Sequence, residues 1–472
     1  MKGGTSMKKR SIRTIVCILL SLLLLAAAAG CTGGQQTSSA APSSSEAGSS
    51  SEASEAEPSS ESEPAAEGEP VELSFVTWSA SATDQGALQK ICDAYTASNP
   101  NVTVTMKGVP GTEYDAYLTT SLSAGICEDL YHSRNRGQGA SIYESGYIVK
   151  MEESKTPVIS ELPEMFLTEY QTADGEQYAL PFSWSSRSMF YNKKIFSDNG
   201  IEPPKTWDEL LAAYAKLKEA GIVPLALGTK DQWDLGNCFG SQIQASFCGV
   251  DWQNKLFAGE ADFSDPDFIA HFDLVSKLKE YIPESYSGLG YDDYIQMFGN
   301  GMAATIFVGA WEISAFENNY PELEFGLLGT PTAGSREAQV SFSPDWGLAV
   351  TKDSKNLDES LKFADWLCRE EAQTIMANEM PGRFPVFPGL TAEVTDPIAN
   401  AWLSNIKEDG SNQVVAWLFT DVIAKQPSGD TLYNEAITGV LDGTMTSEEA
   451  AAHIQDGLAQ WYKPLQDYLA KQ

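Results

Sequence analysis

From residue 71 onward the chain alternates short apolar runs with longer stretches whose apolar residues recur every three or four positions. Residues 72–77 suit a strand. Leu88, Ile91, Cys92 and Tyr95 then fall on one face of a helix that must stop at Asn99-Pro100. Residues 102–106 read as the next strand, Tyr114, Tyr117, Leu118 and Ser121 as the next helix face, and 129–131 as a third strand. Thr206 and Glu209 form a capping box, each side chain serving a free backbone N–H at a helix start. Leu210, Ala213, Tyr214 and Leu217 follow at helical spacing, Gly221 supplies the stop, and 222–227 is an apolar run suited to a buried strand. Asp265-Pro266 opens a helix reaching Tyr281, 303–308 reads as a strand, and 360–368 and 371–379 as helices. Thr446 and Glu449 make a second capping box, opening a helix to about Tyr462. This alternation predicts an α/β fold with mostly parallel sheets covered by helices on both faces.

The N-terminal seventy residues break the pattern. Lys8, Lys9, Arg10 and Arg13 form a basic region, and 15–29 an apolar run shorter than the ~20 residues of a spanning helix, so 1–31 reads as a signal peptide. Ala28-Ala29-Gly30 places small residues before Cys31, as a lipoprotein cleavage box does, although most such boxes carry Leu where Ala28 stands. Cys31 is therefore the expected lipidated first residue, with ordinary cleavage and an incidental cysteine as the alternative. Met7 opens a tidier signal than Met1. Residues 32–70 are almost all Ser, Glu, Ala, Gly and Pro with no aromatic residue, a composition that cannot bury enough apolar surface to offset its ordering entropy. They read as a disordered tether.

Charge narrows the partners. The net charge is −34, and the bases of the signal nearly cancel the glutamates of the tether, so the folded part carries almost all of it. Nucleic acid and anionic surfaces would be repelled. About 400 residues remain, too many for one core and natural for two lobes. Five cysteines lie there, Cys92, Cys127, Cys238, Cys248 and Cys368, without a CxxC pair. Most read as small buried hydrophobes, with a Cys238–Cys248 bridge left open.

One block carries more specific information. Leu180-Pro181-Phe182, then Phe190-Tyr191-Asn192-Lys193, Gly200-Ile201 and Pro204-Lys205-Thr206-Trp207-Asp208-Glu209-Leu210 follow one another in order. The string resembles the family 1 extracellular solute-binding proteins, the sugar-capturing receptors of bacterial ABC importers. The run from Phe298 through Gly309, Trp311 and Glu312 looks like the family's second marker, and Trp346 to Thr351 with the helix after Lys355 like its third. The resemblance covers nearly all of 71–472. It implies a two-lobed periplasmic-binding-protein-like fold (type II) whose lobes are joined by three crossing segments, near 181–185, 341–345 and 385–390. Residues 71–183 and 343–387 would form the N-terminal lobe, and 184–342 and 388–472 the C-terminal lobe. It also implies a carbohydrate ligand, permease subunits and through them an ATPase as partners, and a monomer anchored by lipid on the extracellular face of the membrane. No cofactor, metal or catalysis is expected.

Sugars present apolar C–H faces that stack on aromatic rings and hydroxyls that demand hydrogen bonds. Position sorts the eleven tryptophans. Trp207, Trp366 and Trp461 sit in amphipathic helices and read as packing residues. Trp78 ends the first strand, Trp184 lies on the first crossing with Arg187 just beyond, and Trp233 sits in a polar loop. Trp311 follows Gly309 with Glu312 beside it, and Trp346 follows Asp345 at the second crossing. In relatives the tryptophan matching Trp311 commonly stacks on sugar, which makes it the strongest single candidate. Arg134 and Asn135 follow the third strand, and Asp84, Tyr114, Arg383 and Asp430 come from loops expected to face the cleft. An enzyme is the competing class, because a glycoside hydrolase needs only two carboxylates ~5–9 Å apart. Against it, no motif places any of the three histidines beside a nucleophile, and no G-x-S-x-G, H-E-x-x-H or P-loop pattern occurs. A receptor for a non-sugar solute, or an adhesin or sensory partner on the same fold, is the other alternative.

Overall fold

The computed structural model of this chain describes residues 69–407, 411–416 and 421–472, so the signal, Cys31 and the tether up to residue 68 lie outside the described residues. The N-terminal strands are β1 (Val71–Thr77), β2 (Val102–Gly108) and β3 (Leu130–Ser133). β1 pairs in parallel with β2 and with β3. Helix Ala82–Ser98 returns the chain from β1 to β2 and buries Leu88, Ile91, Cys92 and Tyr95, the face expected from their spacing. Ser81 caps its start by accepting from the Asp84 N–H.

β4 (Leu180–Asn192) is thirteen residues long, roughly 40 Å of extended chain. β5 (Val223–Ala226), β6 (Ala303–Gly309) and β7 (Phe325–Leu327) gather around its far end, β6 and β7 pairing with β4 and β5 with β6. β8 (Val340–Val350) is the other long strand, and β9 (Phe384–Pro385) and β10 (Gln413–Val415) are short. The strand order is β2-β1-β3-β8-β4-β6-β5, with β10 on β8 and β7 and β9 on β4. Within each lobe the βαβ units pair in parallel. Among the described residues, every antiparallel pair of named strands involves β4 or β8. The sheets are therefore mixed where the sequence pattern suggests mostly parallel ones.

The three expected crossings lie side by side. Ser183 stands opposite both Trp346 on β8 and Pro385 on β9, and Trp184 opposite Pro344 and Phe384. Gln373, fully buried, ties two of them together by donating to Phe182 O at 2.7 Å and accepting from the Val386 N–H at 2.8 Å. Ser186 Oγ donates to Ser341 O at 2.7 Å across the β4–β8 pair. Small residues at 183, 185 and 186 leave room for this close approach. Among the described residues no helix is long and apolar enough to cross a membrane. Cys92, Cys127, Cys238, Cys248 and Cys368 are all unpaired, so the Cys238–Cys248 bridge does not form. Most are buried, as small apolar groups would be.

Both capping boxes are present, Thr206 with Glu209 and Thr446 with Glu449. The first opens helix Trp207–Glu219, and Gly221, at φ 76°, ends it in the left-handed conformation that glycine adopts without a Cβ clash. Thr206→Ala should lower stability by about 1 kcal/mol. Urea denaturation of the variant would show the loss, and an unchanged midpoint would mean that Glu209 and the packing of Trp207 fix this helix start unaided.

Candidate functional site

In open α/β sheets, ligands bind outside the carboxyl ends of the strands. β1 ends at Thr77 and is followed by Trp78; β3 ends at Ser133 and is followed by Arg134; β6 ends at Gly309 and is followed by Trp311 and Glu312. After β5 the loop carries Asp231, Trp233 and Asp234. The crossing strands lie between these ends.

Three arginines each lie over a tryptophan. Arg134 sits 4.2 Å above the centre of the Trp78 ring while its Nε donates to Asp115 at 3.2 Å. Arg383 lies 3.9 Å from the Trp346 ring, pairs with Asp345 and reaches Asp84 at 3.9 Å. Arg187 is 5.1 Å from the Trp311 ring, and its Nη1 bonds Ser343 Oγ at 2.5 Å. Guanidinium stacking on an indole is favoured by the ring quadrupole and more so out of water. Register explains how these groups meet. Arg187 is opposite Gly309 on β6, and Ser185 is opposite Ser343 on β8. The pairing slips between Ser183 and Trp184, leaving Asp345 as the extra residue of a bulge, a device that re-aims a side chain. Gly382, at φ 92°, lies so close to the end of β6 that a Cβ there would stand 1.9 Å from Ala310 O, which brings the chain before Arg383 against the backbone of Ala310 and Trp311.

Burial sets the electrostatics. The Glu312 carboxyl is pushed up to about 7, first by desolvation, with nearby Asp84 adding and the Tyr291 hydrogen bond and Arg383 opposing. Desolvation also raises Asp234 to about 6 against the hydrogen bond it accepts from Tyr294. His132 is fully buried, bonds Thr77 Oγ1 through Nδ1 at 2.7 Å, and is held well below its ordinary value by burial and then by Arg383 and Arg134. It stays neutral and serves as a spacer, stacked 4.2 Å from Trp346.

Trp78, Asp84, Arg134, Arg187, Trp311, Glu312, Asp345 and Arg383 are thus brought together, with exposed Trp233 on their rim, 4.8 Å from the Tyr291 ring. Other candidates fall elsewhere. Tyr114 is fully buried and its hydroxyl donates to His132 O at 2.8 Å, so it props Trp78 edge-on and offers no face of its own. Trp184 is buried against Phe384, and its Nε1 donates to Pro385 O at 3.0 Å, which makes it a clasp between crossings. Trp346 is fully buried between His132 and Arg383, so no free face remains for stacking. Asn135 donates to Glu169 at 3.0 Å, beside the Arg136–Glu169 ion pair. Asp430 accepts from Ser428 in the first turn of helix Gly429–Asp442, outside the group. Sequence reasoning missed Tyr291, Tyr294 and Asp234. Their one signal is the Tyr291/Tyr294 pair, three residues apart in the helix that leads into β6, and it resembles ordinary packing.

Residues 79–374 match the bacterial extracellular solute-binding proteins as a family. The chain belongs to that family. An ABC transporter extracellular-binding protein of Pyrococcus horikoshii is 23% identical over 343 residues, 71% of this chain and 76% of the relative. The multiple sugar-binding protein of Streptococcus mutans is 23% identical over 298 residues, 60% of this chain and 68% of its own. Among solved structures, one from work on xylan utilization by the thermophilic bacterium Caldanaerobius polysaccharolyticus superposes with a TM-score of 0.70 at 20% identity, covering 82% of this chain and 99% of the other.

Glu312 gives that group a pH signature. Its folded value of about 7 lies above the ordinary 4.5, so the folded state holds the proton more tightly than the unfolded one. That advantage is complete below about pH 4.5 and is lost as pH rises through about 7. Glu312→Gln keeps an acceptor for Tyr291 and cannot ionise. It should gain about 1–3 kcal/mol of stability relative to the natural protein between pH 5 and pH 8. Parallel pH–stability curves for the two proteins would show that the carboxyl is solvated and unshifted.

Proposed function

We propose that this solute-binding protein captures a sugar or short oligosaccharide between its lobes and delivers it to the permease subunits of an ABC importer. The observation that carries the reading is the convergence of two half-exposed indoles, Trp78 and Trp311, with Asp84, Glu312, Arg134 and Arg383 at the strand ends. Flat apolar rings beside carboxylates and guanidiniums match the two faces of a sugar. The names of the Streptococcus and Caldanaerobius relatives point the same way.

The lobes we propose are 71–183 with 343–387 and 184–342 with 388–472. Each boundary falls in or just beyond a crossing segment: β4 at Ser183, β8 at Phe342, and the residues after β9. Hinge closure follows if the sugar touches both lobes, because only a difference in affinity between open and closed states shifts their populations. The work is binding, and the receptor acts as a monomer anchored through a lipidated Cys31 on the outer face of the membrane.

A thermal-shift screen with D-galactose, xylobiose, xylotriose, maltotriose and raffinose tests the ligand class. A sugar at a hundred times its dissociation constant should stabilise the native state by ~2.7 kcal/mol. Trp311→Ala should weaken binding of whichever sugar responds by about 1–3 kcal/mol and leave the fold intact. A sharp fall in melting temperature with unchanged affinity would make Trp311 structural. For the anchor, Cys31→Ser should release the protein into the medium or leave it unprocessed, and normal membrane retention of that variant would defeat the lipidation reading.

A further inference from the structure

Trp311 stands at the start of helix Glu312–Asn319, and its ring folds back over the end of β6. A Cβ on Gly309 would lie 2.1–2.2 Å from three atoms of the indole, so one ring face rests on bare backbone and only glycine fits beneath it. Backbone contact on one face does not stop an aromatic ring from turning or sliding. The edge must be tied as well.

The tie is present. Trp311 Nε1 donates to Tyr291 Oη at 2.9 Å, and Tyr291 Oη donates to Glu312 Oε1 at 2.8 Å. Indole N–H is a donor only, so the tyrosine oxygen must accept from it, which leaves the phenolic proton for the carboxylate. Three groups are satisfied by one arrangement of protons. Tyr291 is itself fixed from several sides. Its N–H donates to Asp231 Oδ2 at 2.7 Å, its ring lies 4.8 Å from Trp233, and Tyr294 meets it edge-on at 5.4 Å. Tyr294 in turn donates to buried Asp234.

We propose that Tyr291 is the positioning residue of the Trp311 platform, holding the indole edge through a Trp311–Tyr291–Glu312 relay and so setting the plane on which a sugar ring stacks. This deepens the carbohydrate reading and rests on it. A stacked sugar keeps its hydroxyls in line with cleft donors and acceptors only while the ring stays at one angle. Tyr291 therefore bears on which sugars fit as well as on how tightly they bind.

The relay also ties the platform to pH. Glu312 faces Tyr291 from helix Tyr291–Gly299, Asp292 from the same helix, Asp84 and Arg383 from across the site, and Cys238 and Tyr320 from the elements behind. When the carboxyl takes a proton it becomes a donor as well. It then competes with the indole for the tyrosine oxygen, and the single proton arrangement is lost.

The full chain carrying 15N-indole tryptophan tests this without any ligand. The Trp311 Nε1–H resonance is identified by its loss in Trp311→Phe. It should move or broaden in Tyr291→Phe, titrate near pH 7 in the natural protein, and stay fixed with pH in Glu312→Gln. Binding of the five sugars named above provides the second readout. Tyr291→Phe should weaken the responding sugar about tenfold, and Glu312→Gln should bind it with an affinity independent of pH. An indole resonance unmoved in Tyr291→Phe would overturn the relay. A moved resonance with unchanged affinity, while Trp311→Ala does weaken binding, would overturn the positioning role alone. If Trp311→Ala leaves affinity unchanged, or none of the sugars binds, the platform reading fails and the positioning role with it, whatever the resonance shows.

Discussion

The pairing of β4 with β8 is the constraint on which the rest of this structure depends. These two strands run antiparallel from Leu180 opposite Leu348 to Arg187 opposite Ser341, and beyond this pairing β8 goes on to β3 and β4 to β6. Because they are strands and not flexible linkers, their backbone hydrogen bonds hold the crossing rigidly along its length. The serines at 183, 185, 186, 341 and 343 keep this seam thin. The buried clasps at Trp184 and Gln373 join the third crossing to it.

The same seam organises the charges. A carboxylate or guanidinium taken out of water costs several kcal/mol unless it is paired or hydrogen-bonded. Here the ionic groups lie where the strands end and the crossings pass, and each meets a partner from a different element. Arg383 comes from the third crossing, Asp345 from the bulge in β8, and Asp84 from the first helix turn after β1. No single element could satisfy these groups alone. The cluster therefore exists only when these separate elements are assembled. The buried Glu312, with its raised carboxyl, is the member least compensated by opposite charge.

The arginine–tryptophan pairs divide the labour among the indoles. Trp346 is buried and gives Arg383 a surface to lie on, whereas Trp78 and Trp311 keep part of their area open. A fully enclosed ring contributes stability, and a ring held at one edge with area left over can contribute affinity. The difference is decided by what lies on each face. His132 and Arg383 cover Trp346, while Trp311 rests on the bare backbone of Gly309 with Arg187 5.1 Å from its ring and keeps part of its area exposed.

Sequence alone determined the elements and the family. The capping boxes at Thr206 and Thr446, the helix face from Leu88 to Tyr95, the stop at Gly221 and the ordered motif from Leu180 to Leu210 are local signals, each written within a few turns of chain. The loops after β1, β3 and β6 also placed Trp78, Arg134 and Trp311 just beyond strand ends, where the structure has them. Which of the candidates keeps a free face was not legible. Trp184 and Trp346 sit in strands beside apparent cleft residues, and only the packing of Phe384, His132 and Arg383 around them shows that they are enclosed. Tyr291 escaped notice for the complementary reason. Its neighbourhood along the chain offers only Tyr294, which looks like ordinary packing, and its hydroxyl is placed between Trp311 and Glu312, about twenty residues away, by the docking of one helix against the end of β6. Periodicity and capping are properties of neighbours in sequence; enclosure and hydrogen-bond relay are properties of neighbours in space, and only the folded chain decides those.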